Sequence, residues 1–127
     1  ADDPARTAVG EGGRDWVRRH ADLPAVADYR RALQAYDSSA PLDFVSLEGY
    51  LAARLFVEGL KKAGPDADRE SLVDAMLALG QVDLGIGETL SLAPGDHQAS
   101  DGVWPTQVRN GRFEPVQWSR LFNRSRR

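Results

Sequence analysis

One of the chain's two histidines, His97, follows Asp96 in the loop Ala93-Pro-Gly-Asp-His-Gln98. A carboxylate beside an imidazole can orient it as a general base. That chemistry needs a group for the imidazole to activate, and the sequence offers none. The other histidine is His20, cysteine is absent, and Ser91 and Ser100 sit in no nucleophile-elbow pattern. His97 therefore reads as a loop residue making turn hydrogen bonds. Asp2-Asp3, Asp66-Ala-Asp68 and Asp83 with Glu88 lack the ligand spacing and turn glycine of a calcium loop, so no metal is expected. Asp66 and Asp68 read instead as first-turn carboxylates that a helix N-terminus favours. The glycines of Gly80-Gln-Val-Asp-Leu-Gly-Ile-Gly87 follow a helix rather than open one, which removes the dinucleotide-binding context. No cofactor is expected, and the chain reads as a non-enzyme.

Aromatic side chains offer binding rather than reaction. Tyr29, Tyr36, Tyr50 and Phe56 fall at helical spacing and belong to a core by pattern. Phe44 differs, because it lies just before the second predicted helix. There a side chain and the first unpaired backbone N–H groups can both face a ligand carboxylate.

The elements that must position these residues come from one small unit. Of 127 residues, 42% are hydrophobic and 28% charged, with no cysteine and a net charge of -3, which describes a globular chain without a disulfide framework or thiolate site. A chain of this length buries roughly 60% or more of the surface its unfolded form exposes, enough for one core and not two. An excess of 19 acids over 16 bases argues against nucleic acid as a partner. Arg120, Arg124, Arg126 and Arg127 make residues 119–127 a basic tail, read as a solvated terminus. The longest nearly apolar run, Leu51 to Leu60, is interrupted by Arg54 and Glu58. It falls far short of the ~20 residues that span a bilayer. The stretch Ala1 to Gly13 has neither a basic start nor an apolar run, so no signal peptide is expected in it.

Residues 1–21 form a lead-in segment in which Trp16 and Val17 are the one apolar docking point. Three helices are predicted, over 22–36, 46–63 and 68–79. The first carries Val26, Tyr29, Leu33 and Tyr36 at three- and four-residue spacing, with Asp22 as its cap and Pro24 in its first turn. The second has Leu47, Tyr50, Leu51, Leu55, Phe56, Val57 and Leu60, so it is apolar nearly all round and must be covered on more than one side. Gly64-Pro65 ends it after Lys61 and Lys62, whose charge suits a helix C-terminus. The third begins at Asp66 or Asp68 and stops at Gly80. Short strands follow at Val82–Leu84 and Leu90–Leu92, then a hairpin over 103–118 turning on Asn110-Gly111. Pro105 and Pro115 belong where a strand has no inner neighbour.

Leu23-Pro-Ala-Val-Ala-Asp-Tyr-Arg-Arg-Ala-Leu33, Phe44-Val-Ser-Leu-Glu-Gly-Tyr-Leu-Ala-Ala-Arg54 and Val57-Glu-Gly-Leu-Lys-Lys-Ala-Gly64 come in one order. Arg69-Glu-Ser-Leu-Val-Asp-Ala-Met76, Leu92-Ala-Pro-Gly-Asp-His-Gln98 and Val103-Trp-Pro-Thr-Gln-Val-Arg-Asn-Gly-Arg-Phe113 continue it. Over residues 22–116 this order resembles the C-terminal part of the type I periplasmic solute-binding proteins, in the branch serving ABC importers of branched-chain amino acids. The resemblance implies an α/β fold, here its helix-rich C-terminal segment, with residues 22–118 forming part of one lobe. It implies an extracytoplasmic protein that closes around an amino acid or related solute and delivers it to a membrane permease. Such proteins are several times longer, so the chain resembles a fragment, a truncated product or one half of a split protein. The family's Ser/Thr-bearing ligand loops have no counterpart in it. By family position, Phe44, Ser46 and Glu48 are the ligand-binding candidates and Gly102 lies near a hinge between lobes. The apolar second helix also predicts that the chain self-associates, or pairs with a missing N-terminal part. A second reading is a stand-alone helical interaction module without ligand binding.

Overall fold

A computed structural model describes residues 16–110 and 112–116. The basic tail over 119–127, Trp118, Gly111 and the lead-in before Trp16 lie outside the described residues. A helical turn at residues 16–19 is followed by α1 (Pro24–Tyr36), α2 (Phe44–Ala63) and α3 (Arg69–Leu77). Four short strands follow: β1 (Gln81–Asp83), β2 (Thr89–Ser91), β3 (Thr106–Arg109) and β4 (Arg112–Pro115). They form two separate antiparallel pairs, β1 with β2 and β3 with β4, so every described strand is an edge. That accounts for Pro115, opposite Thr106 at the end of its ladder. Val82 faces Leu90 across the first pair and Val108 faces Phe113 across the second. Asn110 enters the second turn at φ 50°, a conformation asparagine tolerates.

The core lies between the opening turn, α1 and α2, where Val17, Val26, Tyr29 and Leu47 are buried. Val17 is fully buried, so the docking point expected there belongs to the core itself. Tyr29 is only 2% exposed, and its hydroxyl ties α1 to the start of α2. It stands 2.5 Å from Ser46 Oγ and 3.2 Å from the Asp43 backbone, donating to the carbonyl or accepting from the N–H. Arg54 of α2 adds an ion pair to Asp28 of α1 at 3.2 Å. Both side chains are about a third exposed, so the pair contributes little beyond orientation.

Helix ends follow local chemistry, with one exception. Asp68 and Ser71 form a reciprocal capping box at the start of α3. Asp43 caps α2 by accepting from Val45 N–H at 2.7 Å, and the helix starts at Phe44, two residues earlier than expected. Gly64 closes it at φ 87° and ψ -178°, a region open in practice to glycine alone. The exception is α1. Leu23 occupies its cap position without a side-chain hydrogen bond, and Asp22 does not serve as the cap. Ala25 N–H instead donates to the Gly85 carbonyl at 3.1 Å, so the loop between β1 and β2 caps a helix sixty residues earlier. Gly85, at φ 81°, is pressed so close that a Cβ there would stand 2.9 Å from Pro24 Cβ. Further bounds differ from expectation: α1 begins at Pro24, α3 ends at Leu77, β1 and β2 each lie one residue earlier, and residues 103–105 are not strand, Val103 being 76% exposed.

Candidate functional site

Along α2, Phe44, Leu47, Glu48, Leu51, Ala52 and Leu55 recur at three- and four-residue steps and make one wall of a groove of about 540 Å³. Leu23 and Val26 of α1, with Trp16 before it, extend that wall. The opposite wall is built from Ile86, Glu88 and Leu90, then Ala99, Ser100, Gly102, Trp104 and Thr106. The size falls within the range of small-molecule sites, roughly 300–1,000 Å³. A smaller, polar cavity of about 300 Å³ lies elsewhere on α1, where Arg18, Arg30 and Asp37 mix charges of both signs.

The groove holds few polar groups. Glu88 Oε1 accepts a hydrogen bond from Ser100 Oγ, and Ser100 Oγ accepts one from Gly102 N–H at 2.9 Å. Glu88 lies where a Cβ on Gly102 would point, with Cδ 2.8 Å from that position. Its φ is not in the left-handed region, so what a side chain there would meet is the flexible end of Glu88. Trp16 meets Trp104 edge to face, with ring centroids 6.4 Å apart, and stacks on His20 at 4.0 Å. The Trp16–Trp104 contact joins the opening turn to the 99–106 segment, and both rings line the groove.

The residues singled out by family position do not all meet. Phe44, 39% exposed, and Glu48 line the groove, and Gly102 lies in its far wall. Ser46 does not line it. Its hydroxyl is engaged with Tyr29 and with the Asp43 carbonyl, on a different side of α2. The expectation that open backbone N–H groups beside Phe44 would receive a ligand carboxylate needs correction. Asp43 sits on that terminus as an anion of the chain's own, and one of the N–H groups is already its donor. His97 is exposed, and the Asp96 carboxylate accepts from Gln98 N–H at 3.1 Å rather than orienting the imidazole. Sequence weighs Glu88 only for metal binding, Ser100 only as a nucleophile and Trp16 only as a docking point, and it does not single out Trp104; their place in the groove comes from the structure. No local signal points to them, because β2 and residues 92–101 separate Glu88 from Gly102 and the two tryptophans are 88 residues apart.

Residues 11–112 match the sequence profile of a family described as periplasmic binding protein. The chain belongs to the periplasmic binding protein family. The match takes in every residue lining the groove. The chain is also similar to a crystal structure described as that of a possible leucine/isoleucine/valine-binding protein from Rhodopirellula baltica SH 1. Identity is 42% and the TM-score 0.72, over 79% of this chain and 27% of that one. The chain thus spans about a quarter of the length of that protein. No curated protein matches it. Its fold is a helix-rich α/β segment of the periplasmic-binding-protein type. Among the described residues, no helix is long and apolar enough to cross a membrane.

Proposed function

We propose that the chain is the solute-binding segment of an extracytoplasmic component of an ABC importer, taking branched-chain or related amino acids without chemical conversion. The groove carries this reading: it is concave, largely apolar and lined by Phe44 and Glu48, two of the residues that family position selects. Aliphatic side chains suit such walls, since each buried CH₂ contributes about 0.8 kcal/mol. In this reading Phe44 and Glu48 contact solute. Ser46 positions the start of α2 through Tyr29, and Gly102 marks the junction between the groove wall and the segment leading to β3. The rest of a two-lobed protein would supply the other half of the site, and a membrane permease would receive the solute.

A thermal-shift screen with the common amino acids tests this. A solute at a hundred times its dissociation constant is expected to stabilise the chain by about 2.7 kcal/mol. A screen in which no amino acid raises the melting temperature would overturn the reading. It would favour a helical interaction module instead, for which the exposed Val45, Phe56 and Leu60 of α2 are the supporting observation.

A further inference from the structure

We propose that Met76 is an oxidation site whose sulfoxide releases α3 from α2. The inference stands apart from solute binding and rests on the packing of one thioether. The chain has no cysteine and a single methionine, so Met76 carries its one sulfur atom. A peroxide therefore meets no thiol first, and the thioether is the side chain it oxidises most readily. Met76 is half-buried, which leaves the sulfur within reach of a small oxidant.

The sulfur occupies a place that a missing side chain leaves open. Gly59 of α2 is buried, and a Cβ built there would overlap Met76 Sδ and stand 2.9 Å from Met76 Cγ. Leu72, one turn earlier on α3, comes to 3.7 Å from the same point. Leu72 and Met76 thus form the face by which α3 sits at Gly59. With nine residues, α3 is too short to persist on its own, since helices under ~12–15 residues are marginal in water. Its capping box lies at the other end, at Asp68 and Ser71.

In the reaction a sulfur lone pair of Met76 attacks one oxygen of hydrogen peroxide. The S–O bond forms as the O–O bond breaks, the thioether loses two electrons, and the departing hydroxide takes the proton of the transferred oxygen and leaves as water. The product is polar and larger by one atom. Its oxygen must either press on the bare Cα of Gly59 or turn to water, which lifts the sulfur off α2. The backbone N–H groups of α2 around Gly59 are spent in the helix's own ladder, so they give that oxygen no hydrogen bond. A methionine sulfoxide reductase with a dithiol returns the thioether, the dithiol becoming a disulfide and the oxygen leaving as water.

The test treats the full chain with hydrogen peroxide until mass spectrometry shows one added oxygen on Met76, then compares circular dichroism melts and amide hydrogen exchange. The oxidised chain is expected to melt roughly 5 °C lower. Exchange in α3 should accelerate about tenfold or more while exchange in α1 stays as it was. Sulfoxide reductase with dithiothreitol should restore both readings. Met76→Leu keeps the side-chain volume and should make melting indifferent to peroxide. Unaltered exchange in α3, or equal acceleration in α1, would overturn the inference. So would Met76 staying unoxidised in the folded chain under conditions that oxidise free methionine. An equal peroxide-induced loss in Met76→Leu would place the damage elsewhere and overturn it too. If that variant does not fold, the reductase decides, and a loss it cannot reverse overturns the inference.

Discussion

Gly49 and Gly59 both lie within α2 and have opposite surroundings. A Cβ at Gly49 would meet nothing within 4 Å, whereas one at Gly59 would overlap Met76 Sδ and stand 2.9 Å from Met76 Cγ. Gly59 is thus where α3 closes onto α2, and Gly49 carries only the entropic cost of glycine in a helix. Gly49→Ala is expected to raise unfolding free energy by up to about 1 kcal/mol. Gly59→Ala should lower it by about 1–2 kcal/mol, because displacing Met76 outweighs the gain in helix propensity. Urea titrations of the two variants check both signs. Gly102 gives a third case: Gly102→Ala must push the Glu88 carboxylate off Ser100. The displaced atoms are the end of a flexible side chain, so a loss of about 1 kcal/mol, the scale of the one hydrogen bond, is expected. Glu88→Ala should cost little more in that background, and a double-mutant cycle reads the coupling. Additive losses would show that Glu88 is not what fills the space.

At the scale of elements, the acid sensitivity of α3 follows from its cap. Ser71 N–H, then the Ser71 hydroxyl, donate to the Asp68 carboxylate and hold its pKa below the usual carboxylate range. A carboxylate depressed by folding contributes stability that is fully present above its unfolded pKa and is lost as pH falls through its folded one. Helicity in α3 should therefore hold at neutral pH and decline in acid. Asp68→Ala should lower the melting temperature at neutral pH and flatten the acid-side decline, measured by circular dichroism melts across pH. Asp37, held down by the Ser39 hydroxyl and N–H at the end of α1, adds the same sign of dependence and is the control to leave intact. The same two helices show what sequence can and cannot disclose. The box at Asp68 and the stop at Gly64 are readable because capping uses neighbours in the chain. The start of α1 is not, because its cap is the Gly85 carbonyl, brought there only by the fold. The groove is illegible for the same reason. Its α2 wall is a periodic stripe, but its other wall comes from residues 86–90 and 99–106, whose meeting with α2 no local pattern encodes.

Across the whole molecule, α2 is the element whose surroundings are incomplete. At 100° per residue, Val45, Phe56 and Leu60 fall along one side of the helix, away from the groove stripe centred on Leu51 and Leu55. All three are exposed, Phe56 at 46%, and Val57 and Val73 of α3 are exposed as well. A helix apolar on that many sides suits the interior of a larger fold, which fits a chain matching 27% of its solved relative. When nothing else covers such a surface, the hydrophobic effect favours a second copy, and the unpaired edges of β1 to β4 offer a further route to pairing. Sedimentation velocity over micromolar concentrations is expected to show reversible, concentration-dependent association of the isolated chain. Phe56→Gln with Leu60→Gln should shift it toward monomer while leaving the amino-acid thermal shift intact, because neither residue lines the groove. A compact monomer throughout that range would mean the outer stripe of α2 is tolerated in water, and the case that α2 belongs inside a larger clamp would lose its physical basis.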